Sequence, residues 1–264
     1  MTQRTETILD RIVADKRGEL AAARAATPLA ELRSRAAEAP AIRDFRAALR
    51  TPGVGVIAEV KKASPSRGVL RPDFDHVGLA ERYAEAGACA MSVLTDEAHF
   101  QGTLDHLAAI REALPDGPPL LRKDFLFDEY QLYEARASGA DALLLITAIL
   151  EPSLLRDLIT QVQSLGITAL VEVHDEAEVE QALTADAEVI GVNNRDLRTF
   201  EVDLATTERL RPLVPRDRLF VAESGIFTRE HVQRMAACGV DAVLIGEALV
   251  TTPDPGAKLR ELLG

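Results

Sequence analysis

The sequence predicts an α/β protein: a single (β/α)8 TIM barrel over residues 1–264, in which residues 1–50 are extra N-terminal helices. Three observations predict it. One phrase recurs: "EAGACAMSVLT" (85–95), "ASGADALLLIT" (137–147) and "ACGVDAVLIGE" (237–247) each run from a helix end through glycine and small residues into an apolar strand. "SLGITALVEV" (164–173) repeats it less strictly. Glycine after a helix supplies the left-handed C′ position, and an unbroken apolar run is a strand covered on both faces. Secondly, strands are expected near 54–60, 88–94, 118–123, 141–147, 167–173, 188–193, 218–222 and 241–246, each followed by a helix-like segment. Strict alternation means a parallel sheet with right-handed crossovers. Thirdly, the units are evenly spaced with no linker, and their extent fits a closed barrel of ~250 residues better than an open doubly wound sheet.

Before the first strand, "TETILDRIVADKRGELAAARA" (5–25), "PLAELRSRAAEA" (28–39) and "DFRAALR" (44–50) read as helices that either cover the barrel's bottom and flank or form part of the rim of its mouth. Between the strands, helix starts are marked at Asp73 in "DFDHVGLAERYAEA", at Thr103 in "TLDHLAAIREAL", by Pro152 in the first turn of "EPSLLRDLITQVQSL", and at Thr228 in "TREHVQRMAAC". Asp and Thr side chains cap the first free N–H groups, and proline suits the first turn.

Composition narrows the function. At 47% hydrophobic and 27% charged residues the chain is ordinary for a globular protein. No apolar run approaches the ~20 residues of a membrane span. The charged N-terminus does not resemble a secretory leader, so a cytoplasmic location is expected. A net charge of −12 argues against nucleic acid and anionic membranes as partners, so an anionic ligand must meet a local positive pocket. Cys89 and Cys238 sit among small apolar residues and are expected to be reduced core thiols.

In such barrels the chemistry lies at the C-terminal strand ends. "LLRKDF" ends a core strand on Lys123, beside Phe125, and a buried ammonium must be paired or used. "VIAEVKK" brings Glu59 and Lys61 to one face, "LVEVHD" brings Glu172, "VIGVNNR" brings Asn193 and Arg195, and "LFVAESGI" brings Glu223, Ser224 and Gly225. Gly246 and Glu247 close the last strand. Loops after strands 7 and 8 form the usual phosphate cradle of these barrels, which points to Gly225 and Gly246, with Ser64 of "SPSRG" as an added donor. Pro65, Phe100, Phe125, Leu144, Leu197 and Phe200 are apolar where polar loops are expected, as the wall for a flat ring would be. The five His residues lack ligand spacing, so no metal is expected, and with no Walker or Rossmann glycine motif no cofactor is expected either. His174 shares the parity of Glu172, a weak signal alone.

These residues carry a resemblance. "IAEVKKASPSRG", "LLRKDFLFDEYQ", "LVEVHDE", "IGVNNRDLRTFEVDL", "VAESGI" and "LIGEAL", in this order from about residue 50 onward, resemble the indole-3-glycerol phosphate synthase family of tryptophan biosynthesis. The resemblance implies a lyase that closes the ring of a carboxyphenylamino-deoxyribulose phosphate with loss of carbon dioxide and water. It implies Lys123 as proton donor to the ketone, Lys61 on the substrate carboxylate, and Glu59 and Glu172 as base and acid partners. Asn193 and Ser224 would bind substrate oxygens, and Arg195 would support them. Glu247 departs from relatives with a small hydroxyl residue there, so its side chain is expected to turn away while backbone amides hold the phosphate.

Three other readings stay open. A phosphoribosylanthranilate isomerase would carry a Cys/Asp pair where this chain has Glu59 and Asn193. A Schiff-base aldolase would use Lys123 as nucleophile, and a phosphate-ligand binding module would lack opposed acids and bases. The small phosphorylated substrate is the expected partner. A monomer is the expected state, with a weak homodimer as the alternative.

Overall fold

The computed structural model describes residues 1–264. Eight strands, β1 (Gly55–Val60), β2 (Ala90–Leu94), β3 (Leu120–Lys123), β4 (Ala142–Ile146), β5 (Thr168–Val173), β6 (Val189–Asn193), β7 (Leu219–Glu223) and β8 (Ala242–Ile245), form one parallel sheet. Neighbours follow chain order, and β8 pairs back onto β1 with Gly55 opposite Ala242, so the sheet closes into a barrel. Every residue of β1, β2, β4, β7 and β8 is buried, because side chains fill the barrel on one face and helices cover the other.

The helix starts follow the capping chemistry. Thr103 accepts from the backbone of His106, Thr228 from that of His231, and Pro152 opens its helix. One start moves. The helix after β1 spans His76–Glu85 and is capped by Asp75, not Asp73, because the Asp75 carboxylate reaches the Gly78 N–H. The cysteines also differ from expectation: both are only partly buried, Cys89 against the core behind Gly55 and Cys238 at a helix end, where its thiol donates to the Arg234 carbonyl.

The N-terminal helices divide the two expected roles between them. Helix α1 (Ile8–Ala26) lies over the mouth: Leu9 and Ile12 face the cavity there. Helix α2 (Leu29–Glu38) runs down the flank against the helix Glu129–Ala137, whose Tyr130 hydroxyl donates to the carbonyls of Ala23 and Thr27. Helix α3 (Phe45–Leu49) closes the bottom, with Phe45 and Leu49 fully buried and the Arg43 backbone N–H 2.8 Å from an Asp141 oxygen just before β4.

One buried ion network fastens α1 to the barrel. The Lys16 ammonium lies 3.0 Å from both Asp96 and Asp124, and Arg122 completes the group 3.0 Å from Asp124. Burial opposes the Asp124 charge, but Arg122, Lys16 and a hydrogen bond from Thr95 outweigh it and hold its pKa at about 2. Replacing Lys16 leaves the buried Asp96 without a counter-ion and takes one of two cations from Asp124. Lys16→Met is therefore expected to lower the unfolding free energy by about 3 kcal/mol. Lys258→Met, which breaks a surface pair with Glu261, should cost less than about 0.5 kcal/mol. Urea denaturation of the two variants measures the difference.

Candidate active site

The mouth of the barrel is a cavity of about 170 Å³ at the C-terminal strand ends. Around it stand Glu59 and Lys61 from β1, Lys123 from β3, Glu172 from β5, Asn193 and Arg195 from β6, and Ser224 and Gly225 from β7. Ser64 and Pro65 reach it from a small ribbon in which Ser64 faces Gly68, and Gly246 and Glu247 from the end of β8. Phe100, Phe125, Leu144 and Leu197 supply apolar wall. Phe200 does not: with φ at +62° it sits in a tight turn outside the cavity, where its carbonyl accepts from Arg195.

The charges are paired in two sets. The Lys61 ammonium lies 2.6 Å from Glu59 Oε1. Lys123 Nζ lies between two carboxylates, 3.4 Å from Glu172 Oε2 and 3.3 Å from Glu223 Oε2. Burial works against the Lys123 charge, but Glu223, Glu172 and Glu59 together outweigh it and hold its pKa above the ordinary lysine value. Its two partners diverge. Burial would raise Glu172, yet Lys123 and the His174 imidazole beside it hold it below the usual carboxylate range. Glu223 is pushed up to about 7 by burial, with Glu172 and Glu59 adding to the rise and Lys123 offsetting only part of it.

Several features escaped the sequence reading. Glu223 is named at its strand end but without a role, which its pairing with Lys123 supplies. Leu9 and Ile12 belong to the first helix, far from any strand end. Asn194 points away from the mouth, yet it is buried and donates to the carbonyls of Glu223 at 3.0 Å and Ser224 at 3.2 Å, tying the ends of β6 and β7 together. Ser224 takes a left-handed φ of +66°, an uncommon backbone for a non-glycine residue and one that clusters at functional sites. Two glycines make room for the acids. A Cβ on Gly246 would lie 2.1 Å from Glu59 Oε1, and one on Gly191 would lie 2.4 Å from Glu223 Oε1. Gly246 thus serves the Glu59–Lys61 pair as well as lining the expected phosphate cradle. Glu247 is among the residues lining the cavity, and its carboxylate lies 3.0 Å from Arg67 and 3.9 Å from Arg195.

The family model described as indole-3-glycerol phosphate synthase matches residues 9–262. The chain belongs to the indole-3-glycerol phosphate synthase family. Curated relatives of that name include one from Dehalococcoides mccartyi, 52% identical over 97% of this chain and 100% of its own length. Another, from a Roseiflexus species, is 54% identical over 98% of this chain and 99% of its own length. Among solved structures, a 3-hexulose-6-phosphate synthase superposes with a TM-score of 0.61 at 15% identity, covering 79% of this chain and 98% of its own. That likeness concerns the barrel alone.

The Glu223 environment carries a test on stability. A carboxyl whose folded pKa is raised contributes stability that is complete below its unfolded value, near 4.5, and lost as pH climbs through about 7. Glu223→Gln removes that loss. The variant is expected to gain at least about 1 kcal/mol over the parent between pH 4.5 and pH 8, measured by chemical denaturation at both. A constant difference across the range contradicts the raised pKa.

Proposed function

We propose that this cavity carries out the reaction of its family: ring closure of 1-(2-carboxyphenylamino)-1-deoxyribulose 5-phosphate, with loss of carbon dioxide and water, to indole-3-glycerol phosphate. The observation that carries the reading is Lys123, a proton-bearing ammonium held between two carboxylates beside an apolar wall. Ring closure needs a proton on the ketone oxygen while the electron-rich ring carbon attacks, and a positioned ammonium supplies it. Departure of the carboxylate as carbon dioxide restores the aromatic ring. The hydroxyl then leaves as water on a second proton, and loss of one C–H proton forms the new double bond. Two protons go in and one comes out, so the site needs both acids and a base.

The residues divide accordingly. Lys123 donates to the ketone. Lys61, oriented by Glu59, holds the substrate carboxylate and is placed to act in the dehydration. Glu172, held ionised, takes the C–H proton, and Asn193 and Ser224 bind substrate oxygens. Phe100, Phe125, Leu144, Leu197 and Pro65 grip the anthranilate ring and exclude water, which favours loss of the carboxylate. Ser64 and the backbone at Gly225 and Gly246 hold the phosphate, with Arg67 and Arg195 adding positive charge while they balance Glu247. A Schiff-base role for Lys123 is disfavoured, since its two carboxylates stabilise the ammonium and not the free amine. The reading extends to a monomeric cytoplasmic protein working on a small phosphorylated substrate.

Adding the carboxyphenylamino substrate should produce indole fluorescence. Lys123→Ala should reduce that turnover by about 10²–10⁴-fold while inorganic phosphate still competes. Turnover within a few-fold of the parent would remove Lys123 from the donor role. The phosphate grip lies away from the reacting carbons, so its binding energy also serves to hold the ketone at Lys123. A dephosphorylated substrate is expected to lose kcat as well as affinity. Equal turnover of both substrates rejects the phosphate assignment.

A further inference from the structure

The two carboxylates that share Lys123 are nearly equivalent in distance and burial, yet the chemistry needs one as a base and the other as a proton carrier. What distinguishes them lies outside the mouth. His174, two residues past Glu172 on the same strand parity, lines a second, polar cavity separated from the first by Leu9, Asn193, Arg195 and Leu197. Its Nε2 lies 3.3 Å from Glu172 Oε1, the oxygen not facing Lys123. Its Nδ1 lies 3.0 Å from Glu178 Oε2, which also accepts from the His174 backbone N–H at 2.8 Å. The ring is thus clamped by an acid from the helix Glu176–Thr184 with its other nitrogen beside the Glu172 carboxylate. Glu223 has no second cation: Lys123 is the only one within 4 Å, and neither of its oxygens has a hydrogen-bond partner.

We propose that His174 is a positioning residue that assigns the base role to Glu172: clamped by Glu178, it places a fixed positive charge on the outer oxygen of Glu172 and leaves Glu223 as the proton-carrying carboxyl. The inference rests on the reading of Glu172 as the base. Two groups pushed to opposite protonation states by their surroundings are the usual mark of a divided acid and base. Burial opposes a charge on His174, but the Glu172 carboxylate beside its Nε2 and the hydrogen bond to Glu178 outweigh it and raise its pKa to about 10. The other charged groups around the imidazole are of both signs. Asp175 adjoins it in sequence and Asp196, in the loop after β6, lies close enough to feel its charge. Arg4, Arg195, Arg198 and Arg209 face the same cavity, and Arg209 is already paired with Glu176. Neither His174 nor Glu178 lines the substrate cavity.

The test is the pH dependence of kcat. His174→Asn keeps a polar side chain but removes the charge, so the Glu172 pKa should rise and the acid limb should move toward neutrality. The expected result is about a tenfold loss of kcat at pH 6 that largely disappears by pH 8.5, with KM within about threefold of the parent. Glu178→Gln should shift the limb the same way by less, and NMR should show the His174 imidazolium persisting above pH 8 in the parent but not in that variant. A His174→Asn profile that superimposes on the parent overturns the proposal. So does a loss that is the same at every pH, which marks a purely structural residue. Glu172→Gln separates the two readings. If it stays active, the base assignment itself has failed. If it is inactive while His174→Asn matches the parent, only the role of His174 falls.

Discussion

Lys123 is an ammonium at the end of a barrel strand, largely removed from water, and it keeps its proton only because Glu172 and Glu223 flank it at 3.4 and 3.3 Å. Desolvation alone would drive a buried lysine toward the neutral amine, by several pKa units in the extreme. Much of the surrounding architecture serves this pairing. β5 must bring Glu172, its next-to-last residue, and β7 its last residue, Glu223, level with the last residue of β3, which a closed barrel does and an open sheet need not. Gly191, on β6, vacates the space that the Glu223 carboxylate occupies. Asn194 ties the carbonyl of Glu223 to the end of β6. Glu59 and Lys61 repeat the arrangement one step away, with Gly246 clearing room for them.

The residue after Lys123 links the site to the rest of the molecule. Asp124 is buried beneath α1, bonded to Arg122 and Thr95 and paired with Lys16. Its carboxylate also accepts from the Phe125 backbone N–H at 2.8 Å, so the turn that carries both Lys123 and the apolar wall is fixed from below. The N-terminal helix therefore does two things at once. It roofs the apolar side of the mouth with Leu9 and Ile12, and through Lys16 it anchors the β3 turn. Removing a charge from such a buried network is more damaging than the net worth of the pairing, because its partners stay behind without compensation.

The barrel was legible in the sequence because each unit repeats a local code: a glycine C-cap, small residues, an unbroken apolar strand and a capped helix. The strand-end polar residues followed from counting parity, and those named there face the cavity together. Parity failed wherever the chain leaves the strand. Phe200 follows a turn with positive φ and points elsewhere, and Asn194 faces outward but works through backbone carbonyls. Gly246 was assigned to phosphate because sequence shows a missing side chain but not what fills the space, which here is Glu59. Leu9, Ile12 and Lys16 could not be placed, since nothing local tells which end of the barrel an N-terminal helix covers. The contact between His174 and Glu172 shows the opposite case: the spacing was seen, but only the rotamers and Glu178 give it meaning.

The central claim is electrostatic: Lys123 carries its proton through the working pH range because the ionised Glu172 holds it there, joined by Glu223 once that group ionises at about pH 7. Nitrogen-15 NMR of the labelled protein, following the Lys123 Nζ resonance as pH is raised, measures this directly. The account predicts that the ammonium signal persists at pH 10.5, where an ordinary lysine is half titrated. Conversion to the neutral amine below that pH, in the folded protein, would contradict it: desolvation would then outweigh the two ion pairs, and Lys123 would be suited to act as a nucleophile and not as an acid.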